Sequence, residues 1–139
     1  MKKAVVYWSG TGNTEAMAKA VAEGITGVGA EAEIFTASDF SPDKADEFDA
    51  IAFGCPSMGS EELEDSEFAP MFDAVLSKLV GKKIALFGSY GWGDGEWMRN
   101  WEEQCKENGL TLVCDSAICN DAPDDDTVLA CRNLGAALV

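Results

Sequence analysis

The sequence predicts an α/β fold, namely a doubly wound five-stranded parallel sheet in the order 2-1-3-4-5 with helices on both faces. Short apolar runs alternate along the chain with longer stretches of helical periodicity, which indicates strand–helix–strand units. The runs lack a polar residue at every second position, as is typical of strands buried on both faces. A length of 139 residues fits one such domain, spanning residues 1–139.

The first third of the chain supplies two strands and one long helix. Residues 3–8 form an apolar run that predicts the first strand. A helix is expected over 14–28, because apolar residues recur there at helical spacing and the segment ends among glycines. Residues 32–36 predict a second, weaker strand, and 37–48 is expected to hold an irregular short helix.

Three more strands and three helices complete the predicted fold. The strands are expected at 49–54, 82–88 and 110–114, the last with an extension to Cys119 left open. The helices are expected at 67–80, 94–108 and 124–138. Pro70 is tolerated because it falls in the first turn of its helix. One face of the helix over 94–108 is predicted to carry Trp97, Met98, Trp101 and Cys105.

The composition narrows the classes of function. The net charge is −15, from 25 acidic and 10 basic residues, so the chain repels nucleic acids and anionic membranes and favours basic protein surfaces. The absence of histidine disfavours a zinc site and acid–base hydrolysis. The five cysteines are odd in number and none stands in a C-x-x-C pair, so buried reduced thiols are expected rather than disulfides.

The N-terminal apolar run is interpreted as a strand and not as a signal peptide, because no small-residue cleavage site follows it. No apolar run is long enough to span a bilayer. We therefore expect a cytoplasmic, monomeric protein.

Ligands of a doubly wound sheet bind beyond the carboxyl ends of the strands, where the winding direction reverses. In the predicted order this point lies between strands 1 and 3. The loops to consider are therefore 9–14, 55–66 and 89–97, with 119–123 behind them.

The loop at 9–14 is predicted to bind a phosphate. Two glycines allow a tight turn, hydroxyl and amide side chains are neutral donors, and the following helix N-terminus favours an anion. The loop lacks the lysine of a nucleoside-triphosphate loop, and Glu15 stands where a dinucleotide loop has its third glycine. The remaining features of the loop, neutral donors at a helix start, suit a phosphate monoester. A plain helix cap is the alternative, but it would not need so many hydroxyls and glycines.

The loops after strands 3 and 4 are predicted to form a flat apolar slot. Met58 offers a polarisable side chain, and Gly59 beside it allows unusual backbone conformations. Trp92 lies between glycines at a strand end, where stacking on a planar ring is favoured over packing. For Trp97, on the next helix, stacking and packing are equally open. Together the three loops describe a site for a flat heterocycle with a phosphorylated tail.

Three motifs, Trp8–Glu15, Cys55–Glu62 and Phe87–Gly95, together resemble the FMN loops of short-chain flavodoxins from anaerobic bacteria, in order and at the family's spacing. The resemblance covers nearly the whole chain. It implies a flavodoxin-like fold and FMN bound without a covalent bond. The cofactor-binding residues that it implies are Ser9, Gly10, Thr11, Gly12, Asn13, Thr14, Pro56, Ser57, Met58, Gly59, Ser60, Glu61, Ser89, Tyr90, Gly91, Trp92, Gly93, Trp97 and Asn120.

The resemblance also implies a role for individual residues. Met58 would lie against the inner face of the isoalloxazine ring and Trp92 against the outer face. Glu61 would accept a hydrogen bond from the ring N3–H, and Gly59 would carry the peptide whose carbonyl turns toward a protonated N5. The backbone of 89–91 and 93 would meet the pyrimidine edge and the ribityl chain. Asn120 or Asp121 would touch the far edge, and the choice between them is left open.

The function implied is low-potential transfer of single electrons between larger redox proteins, using the semiquinone/hydroquinone couple of FMN. Acidic residues at 61–67, 94–96 and 121–126 all lie at one end of the sheet, which opposes an anionic reduced flavin and favours transient docking of basic partners. Pro56 and Ser60 stand where some relatives have Ser and Asp, so the first-electron potential is expected to differ from theirs.

Two other classes of protein share parts of this pattern. An FMN-dependent quinone, azo or nitro reductase would need a substrate pocket over the flavin and a nicotinamide site, yet Trp92 would cover that face and the three loops carry no basic residue. A signalling receiver of the same topology needs paired acids after strand 1 and a lysine after strand 5, and this chain has neither. We therefore expect an electron carrier that is not itself an enzyme.

Overall fold

The computed structural model describes residues 2–139. Its strands are β1 (Lys2–Tyr7), β2 (Glu31–Thr36), β3 (Ala50–Gly54), β4 (Lys83–Tyr90), β5 (Thr111–Leu112) and β6 (Ala117–Asn120). Its α-helices are α1 (Asn13–Gly27), α2 (Pro42–Ala45), α3 (Phe68–Val75), α4 (Glu96–Glu107) and α5 (Asp125–Ala137). Short 3-10 turns lie at Ala37–Asp39 and Leu76–Lys78.

The sheet is parallel and has the order β2-β1-β3-β4-β5, with β6 also paired to β4. This confirms the predicted doubly wound topology. The central strand β3 is buried at every position, because helices cover both of its faces. The carboxyl ends of β1, β3 and β4 therefore lie side by side at one edge of the sheet.

The fifth predicted strand differs from the expectation, because the structure divides it into β5 and β6. β5 pairs with the first two residues of β4, and β6 pairs with its last four. Between them the chain leaves the sheet, and the Ser116 hydroxyl donates a hydrogen bond of 2.6 Å to the Glu102 carboxylate on α4. This contact holds the interrupting segment toward α4.

Two apolar layers cover the sheet, one on each face. On one face α3 and α4 pack their aromatic side chains against β3, with the Phe53 and Phe72 rings edge to face at 5.1 Å. On the other face α1 and α5 pack against β1 and β4. Helices α1 and α5 approach closely because both carry glycine at the contact. A Cβ on Gly24 would lie 1.9 Å from the carbonyl oxygen of Arg132, and one on Gly135 would lie 2.1 Å from that of Val21.

The helix ends follow local sequence signals. α5 begins at an Asp124 cap, whose carboxylate accepts the Thr127 N–H at 2.8 Å. α3 is shorter than the predicted helix over 67–80 and tightens into the 3-10 turn after Val75. The irregular helix expected within 37–48 consists of the first 3-10 turn and the four residues of α2. Within residues 2–139 no helix has the length and apolar character needed to cross a membrane.

Candidate functional site

The loops that follow β1, β3 and β4 meet around a cavity of about 330 Å³. All three of these strands run toward the same edge of the sheet, so the loops after them converge there. The cavity is lined by Trp8, Gly10, Thr11, Asn13, Pro56, Ser57, Met58, Ser89, Tyr90, Gly91 and Asp121. Nine of these eleven residues belong to the predicted set, and the exceptions are Trp8 and Asp121.

The first loop, residues 9–14, is shaped by its own hydroxyl groups. The Ser9 Oγ accepts the N–H groups of Gly12 at 3.1 Å and of Glu15 at 3.3 Å. The Thr14 hydroxyl is buried and lies 3.2 Å from the Ser89 hydroxyl, which joins this loop to the end of β4. Ser9 and Thr14 therefore hold the loop in place with their side chains, while Thr11 and Asn13 line the cavity.

The amino terminus of α1 opens onto this loop with unused donors. Gly12 adopts a left-handed φ of 96° just before the helix, and the first helical bond runs from Ala16 N–H to Gly12 O. Among the described residues, the N–H groups of Gly10, Thr11, Asn13 and Thr14 have no hydrogen-bond partner. Free N–H groups at a helix start, without a cation in the loop, fit a phosphate monoester.

The second loop, residues 55–64, is closed by a two-residue bridge. Met58 N–H donates to Glu62 O at 2.8 Å, and Glu62 N–H donates to Met58 O at 2.9 Å. The turn between them has left-handed backbone at Gly59 (φ 52°) and Glu61 (φ 56°). Ser60 is exposed, and the Met58 side chain is 37% exposed at the cavity.

The third loop, residues 89–97, presents a tryptophan to solvent. Trp92 is 62% exposed, which is unusual for so large an apolar side chain. Next to it Gly93 has a φ of 87°, and a Cβ there would lie 2.5 Å from the Glu61 carboxylate. That carboxylate accepts the Glu96 N–H at 3.1 Å. Glu61 thus ties the second loop to the start of α4, although it is not among the residues that line the cavity.

Trp97 lies in the core and not at the cavity. It is 2% exposed, its indole N–H donates to Cys55 O at 3.1 Å, and its ring lies 5.4 Å from that of Tyr90. Burial this deep favours packing over stacking, the two roles that the sequence left open for Trp97. Together with Met98, Trp101 and Cys105 it forms the buried face predicted for this helix.

At the far edge of the site Asn120 and Asp121 are placed differently. Asp121 lines the cavity, has a φ of 60° and donates its N–H to Tyr90 O at 2.8 Å. Asn120 ends β6 and is not among the lining residues. The lining favours Asp121, and Asn120 stays a prediction.

Trp8 is a cavity residue that sequence reasoning did not select. Its ring lines the cavity, and its indole N–H donates to the Glu67 carboxylate at 3.0 Å. The sequence contained a signal for it, because Trp8 is an aromatic residue at the carboxyl end of a predicted strand. Trp92 was selected on a similar position, shortly after a strand. A second cavity of about 350 Å³ on its other side includes Glu15 and Glu67, whose carboxylates disfavour a phosphate there.

Carboxylates surround the cavity, and few have a cation nearby. Glu62, Asp65, Glu96 and Asp121 are partly or fully exposed, and no salt bridge involves them among the described residues. Asp94 pairs with Arg99 at 3.0 Å, and this hydrogen bond raises the pKa of the guanidinium further. The site thus combines neutral donors at one end, an open apolar slot and nearby exposed carboxylates.

Comparisons with known proteins agree with this geometry. The model of the family described as flavodoxin matches residues 5–135. A flavodoxin from Megasphaera elsdenii is 47% identical over 96% of this chain and 95% of its own length. One from Clostridium beijerinckii is 46% identical over 87% of this chain and 88% of its own.

Solved structures agree as well. The solution structure of two-electron reduced Megasphaera elsdenii flavodoxin superposes with a TM-score of 0.90, at 46% identity and covering 99% of this chain and 98% of its own. The matches extend over the whole fold and all three loops. The chain therefore belongs to the flavodoxin family of FMN-binding electron-transfer proteins.

Proposed function

We propose that this flavodoxin is a low-potential one-electron carrier without a substrate of its own, which docks transiently on basic surfaces of larger redox proteins. The observation that carries the proposal is the acidic rim around a phosphate loop that contains no cation. FMN supplies the one-electron chemistry, and the chain decides how tightly FMN is held and at what potential it works.

The residues proposed to hold FMN follow from the shape of the three loops. The free N–H groups of 10–14, with the Thr11 and Asn13 side chains, would bind the phosphate. Met58 and Trp92 would contact the two faces of the ring, because both are large, apolar and exposed, Met58 in the cavity lining and Trp92 in the third loop beside it. The Glu61 carboxylate would accept the ring N–H.

The acidic rim sets the direction of the redox potential. Each exposed carboxylate about 10 Å from the ring raises the free energy of one added negative charge by about 0.4 kcal/mol in water, before screening by salt. Glu62, Asp65, Glu96 and Asp121 act in the same direction, and the phosphate adds to them. The second electron, which leaves an anionic ring, is therefore held at a low potential.

The same carboxylates favour partners of opposite charge. They lie around the exposed end of the site, in a chain whose net charge is −15. A basic surface would be steered toward the FMN edge, and the resulting contact would be small and short-lived, as transient redox contacts are. The five cysteines form no disulfide among the described residues, which suits a cytoplasmic location.

A flavin reductase is the alternative function. It would need a bound nicotinamide next to the ring, but Trp92 would cover that face, and the nearby Arg99 is paired with Asp94. We therefore expect the FMN-loaded protein to oxidise NADH or NADPH no faster than free FMN does. Rapid turnover would contradict the carrier proposal.

An anaerobic spectroelectrochemical titration tests the carrier proposal directly. We expect two separate one-electron steps, with the second well below the potential of free FMN. A single two-electron step, or a second step at or above that of free FMN, would overturn the proposal. Electron transfer to a basic acceptor protein should slow with added salt. A rate independent of salt would contradict the proposal that the protein docks on basic surfaces.

A further inference from the structure

Glu64 is the one carboxylate that the structure buries within residues 2–139. It is 5% exposed, whereas its neighbours Asp65 and Glu67 are exposed. It lies at the foot of the second loop, where the chain passes from the Met58–Glu62 bridge to α3. It does not line the FMN cavity, so ligand binding does not account for its burial.

The Glu64 carboxylate caps the start of α3. It accepts the N–H groups of Ser66 at 2.9 Å, Glu67 at 2.8 Å and Phe68 at 2.8 Å, together with the Ser66 hydroxyl. The nominal cap residue of α3, Glu67, makes no side-chain cap bond of its own. One buried carboxylate therefore satisfies donors that the first turn of this helix leaves free.

Two chains of contacts run from this cap to the FMN site. Glu64 N–H donates to the Cys55 Sγ at 3.3 Å, which closes the base of the second loop below the Met58–Glu62 bridge. Glu67, whose N–H is held by Glu64, accepts the indole N–H of Trp8 in the cavity wall at 3.0 Å. The cap thus touches both the loop that presents Met58 and the wall that presents Trp8.

The turn held by this base is strained. Glu61 has a side chain yet adopts a left-handed φ of 56°. Such a conformation costs on the order of 1 kcal/mol or more and persists only where the surroundings enforce it. The enforcing contacts are the Met58–Glu62 bridge, the Cys55–Glu64 contact and the bond from Glu96 N–H to Glu61.

We propose that Glu64 is a positioning residue for electron transfer, whose buried carboxylate fixes the second loop and Trp8 and thereby sets the first-electron potential and the affinity for FMN. The inference rests on the proposed placement of the second loop against FMN. Burial raises the pKa of Glu64, but the hydrogen bonds from the Ser66 hydroxyl and from the N–H groups of Phe68, Glu67 and Ser66 lower it to about 2. Burial also raises the pKa of the Cys55 thiol to about 12, so this contact involves a neutral thiol.

The test compares Glu64→Gln with Asp65→Asn. Both remove one negative charge at neighbouring positions, but only the first alters the cap, because an amide has one acceptor oxygen and places N–H groups against N–H donors. Ser66→Ala is the milder variant, since it removes one hydrogen bond without changing charge. It keeps the test decisive if Glu64→Gln fails to fold.

Amide hydrogen exchange is measured first, in the protein without FMN. In Glu64→Gln, and to a lesser degree in Ser66→Ala, exchange at the N–H groups of Met58 and Glu62 and at the Trp8 indole should rise about tenfold or more. Asp65→Asn should leave these rates unchanged. Unchanged exchange in both cap variants would overturn the proposal, whatever the redox titration shows.

Redox titration and FMN binding are measured next, in the loaded proteins. Glu64→Gln should shift the first-electron potential and weaken FMN binding more than Asp65→Asn does, whereas both should raise the second-electron potential alike. Equal effects of the two variants on the first electron would overturn the positioning role. If neither Glu64→Gln nor Asp65→Asn changed the second-electron potential, the proposed function would be contradicted. The positioning role of Glu64 would still be judged by the hydrogen-exchange result.

Discussion

The two halves of the FMN site are held in different ways. The first loop is held by its own residues, since Ser9 accepts the N–H groups of Gly12 and Glu15 and Thr14 anchors the loop to Ser89. The second loop carries strained backbone and depends on anchors outside its tip, at Cys55, Glu64 and Glu96. The difference indicates a division of labour, in which the first loop supplies most of the FMN affinity and the second loop mainly sets the potential.

The largest effect should come from the first loop. Ser9→Ala leaves the N–H groups of Gly12 and Glu15 without their shared acceptor, and the phosphate loop loosens. We expect FMN affinity to fall about 100-fold, which is roughly 2.7 kcal/mol, with the gap between the two one-electron potentials little changed. Titration by quenching of flavin fluorescence measures this.

Ser41→Ala is the matched control for the first loop, because Ser41 caps α2 through Lys44 N–H and is not among the residues that line the cavity. It should leave FMN affinity at the wild-type value. If Ser9→Ala instead moved the potentials and spared the affinity, the division of labour between the two loops would be reversed.

The second-largest effect concerns Glu64, the anchor of the second loop, and appears in the pH dependence of the free energy of unfolding. The pKa of Glu64 is lowered to about 2 in the folded chain, against about 4.3 for an unfolded glutamate. The ionised Glu64 carboxylate therefore stabilises the folded chain fully at a pH above the unfolded pKa, and this stabilisation is lost as the pH falls toward 2. Urea unfolding of the FMN-free protein between about pH 5 and pH 2.5 should show a steeper loss of stability in wild type than in Glu64→Gln.

At neutral pH the same pair of proteins should differ by about 2 kcal/mol in the free energy of unfolding. Parallel pH profiles of wild type and Glu64→Gln would show that the cap does not depend on the ionised carboxylate. The second loop would then be held, like the first, by neutral contacts alone.

The third effect separates two tryptophans that the sequence placed in the same loop. Trp92→Ala removes an exposed side chain, so unfolding of the FMN-free protein should change by less than about 0.5 kcal/mol while FMN affinity falls about tenfold. Trp97→Phe removes the buried bond to Cys55 O and should cost about 2 kcal/mol of stability. Urea unfolding and FMN titration of both variants measure this, and the opposite pattern would mean that Trp97 is the stacking residue.

The smallest effect is expected at Glu61. Glu61→Gln removes one charge near the ring, which should raise the second-electron potential by roughly 40 mV, equivalent to about 1 kcal/mol. Asp94→Asn is the control, because the Asp94 charge is already paired with Arg99 and its removal should shift the potential less. Equal shifts would indicate that rim charge, rather than position in the second loop, governs the second electron.

The sequence was sufficient for the topology and for most of the cavity. Strands buried on both faces leave a strong pattern, and glycine with hydroxyl residues between a strand and a helix indicates an anion site. The split of the fifth strand was not predictable, because it depends on the contact between Ser116 and Glu102 across two elements. Trp97 was ambiguous for a similar reason, since only the fold determines whether a residue at a helix start faces inward.

Glu64 shows most clearly where sequence reasoning fails. Within a run of acids at 61–67 it has no distinguishing feature, and charge counting assigns it to the rim. The structure turns this one carboxylate inward onto three N–H groups of the α3 start. Whether a carboxylate repels an electron or caps a helix depends on its direction, and no pattern of residue types encodes that direction.

The divided fifth strand has a consequence for the behaviour of the protein at high concentration. The outer edge of a sheet is a template on which another chain can add a strand, and such pairing leads to aggregation. Here one edge is broken into segments of two and four residues, too short to recruit a partner strand. At the opposite edge β2 carries Glu31 and Glu33, which repel an identical edge. Both edges are therefore protected from self-association, so a carrier of this kind could accumulate without aggregating.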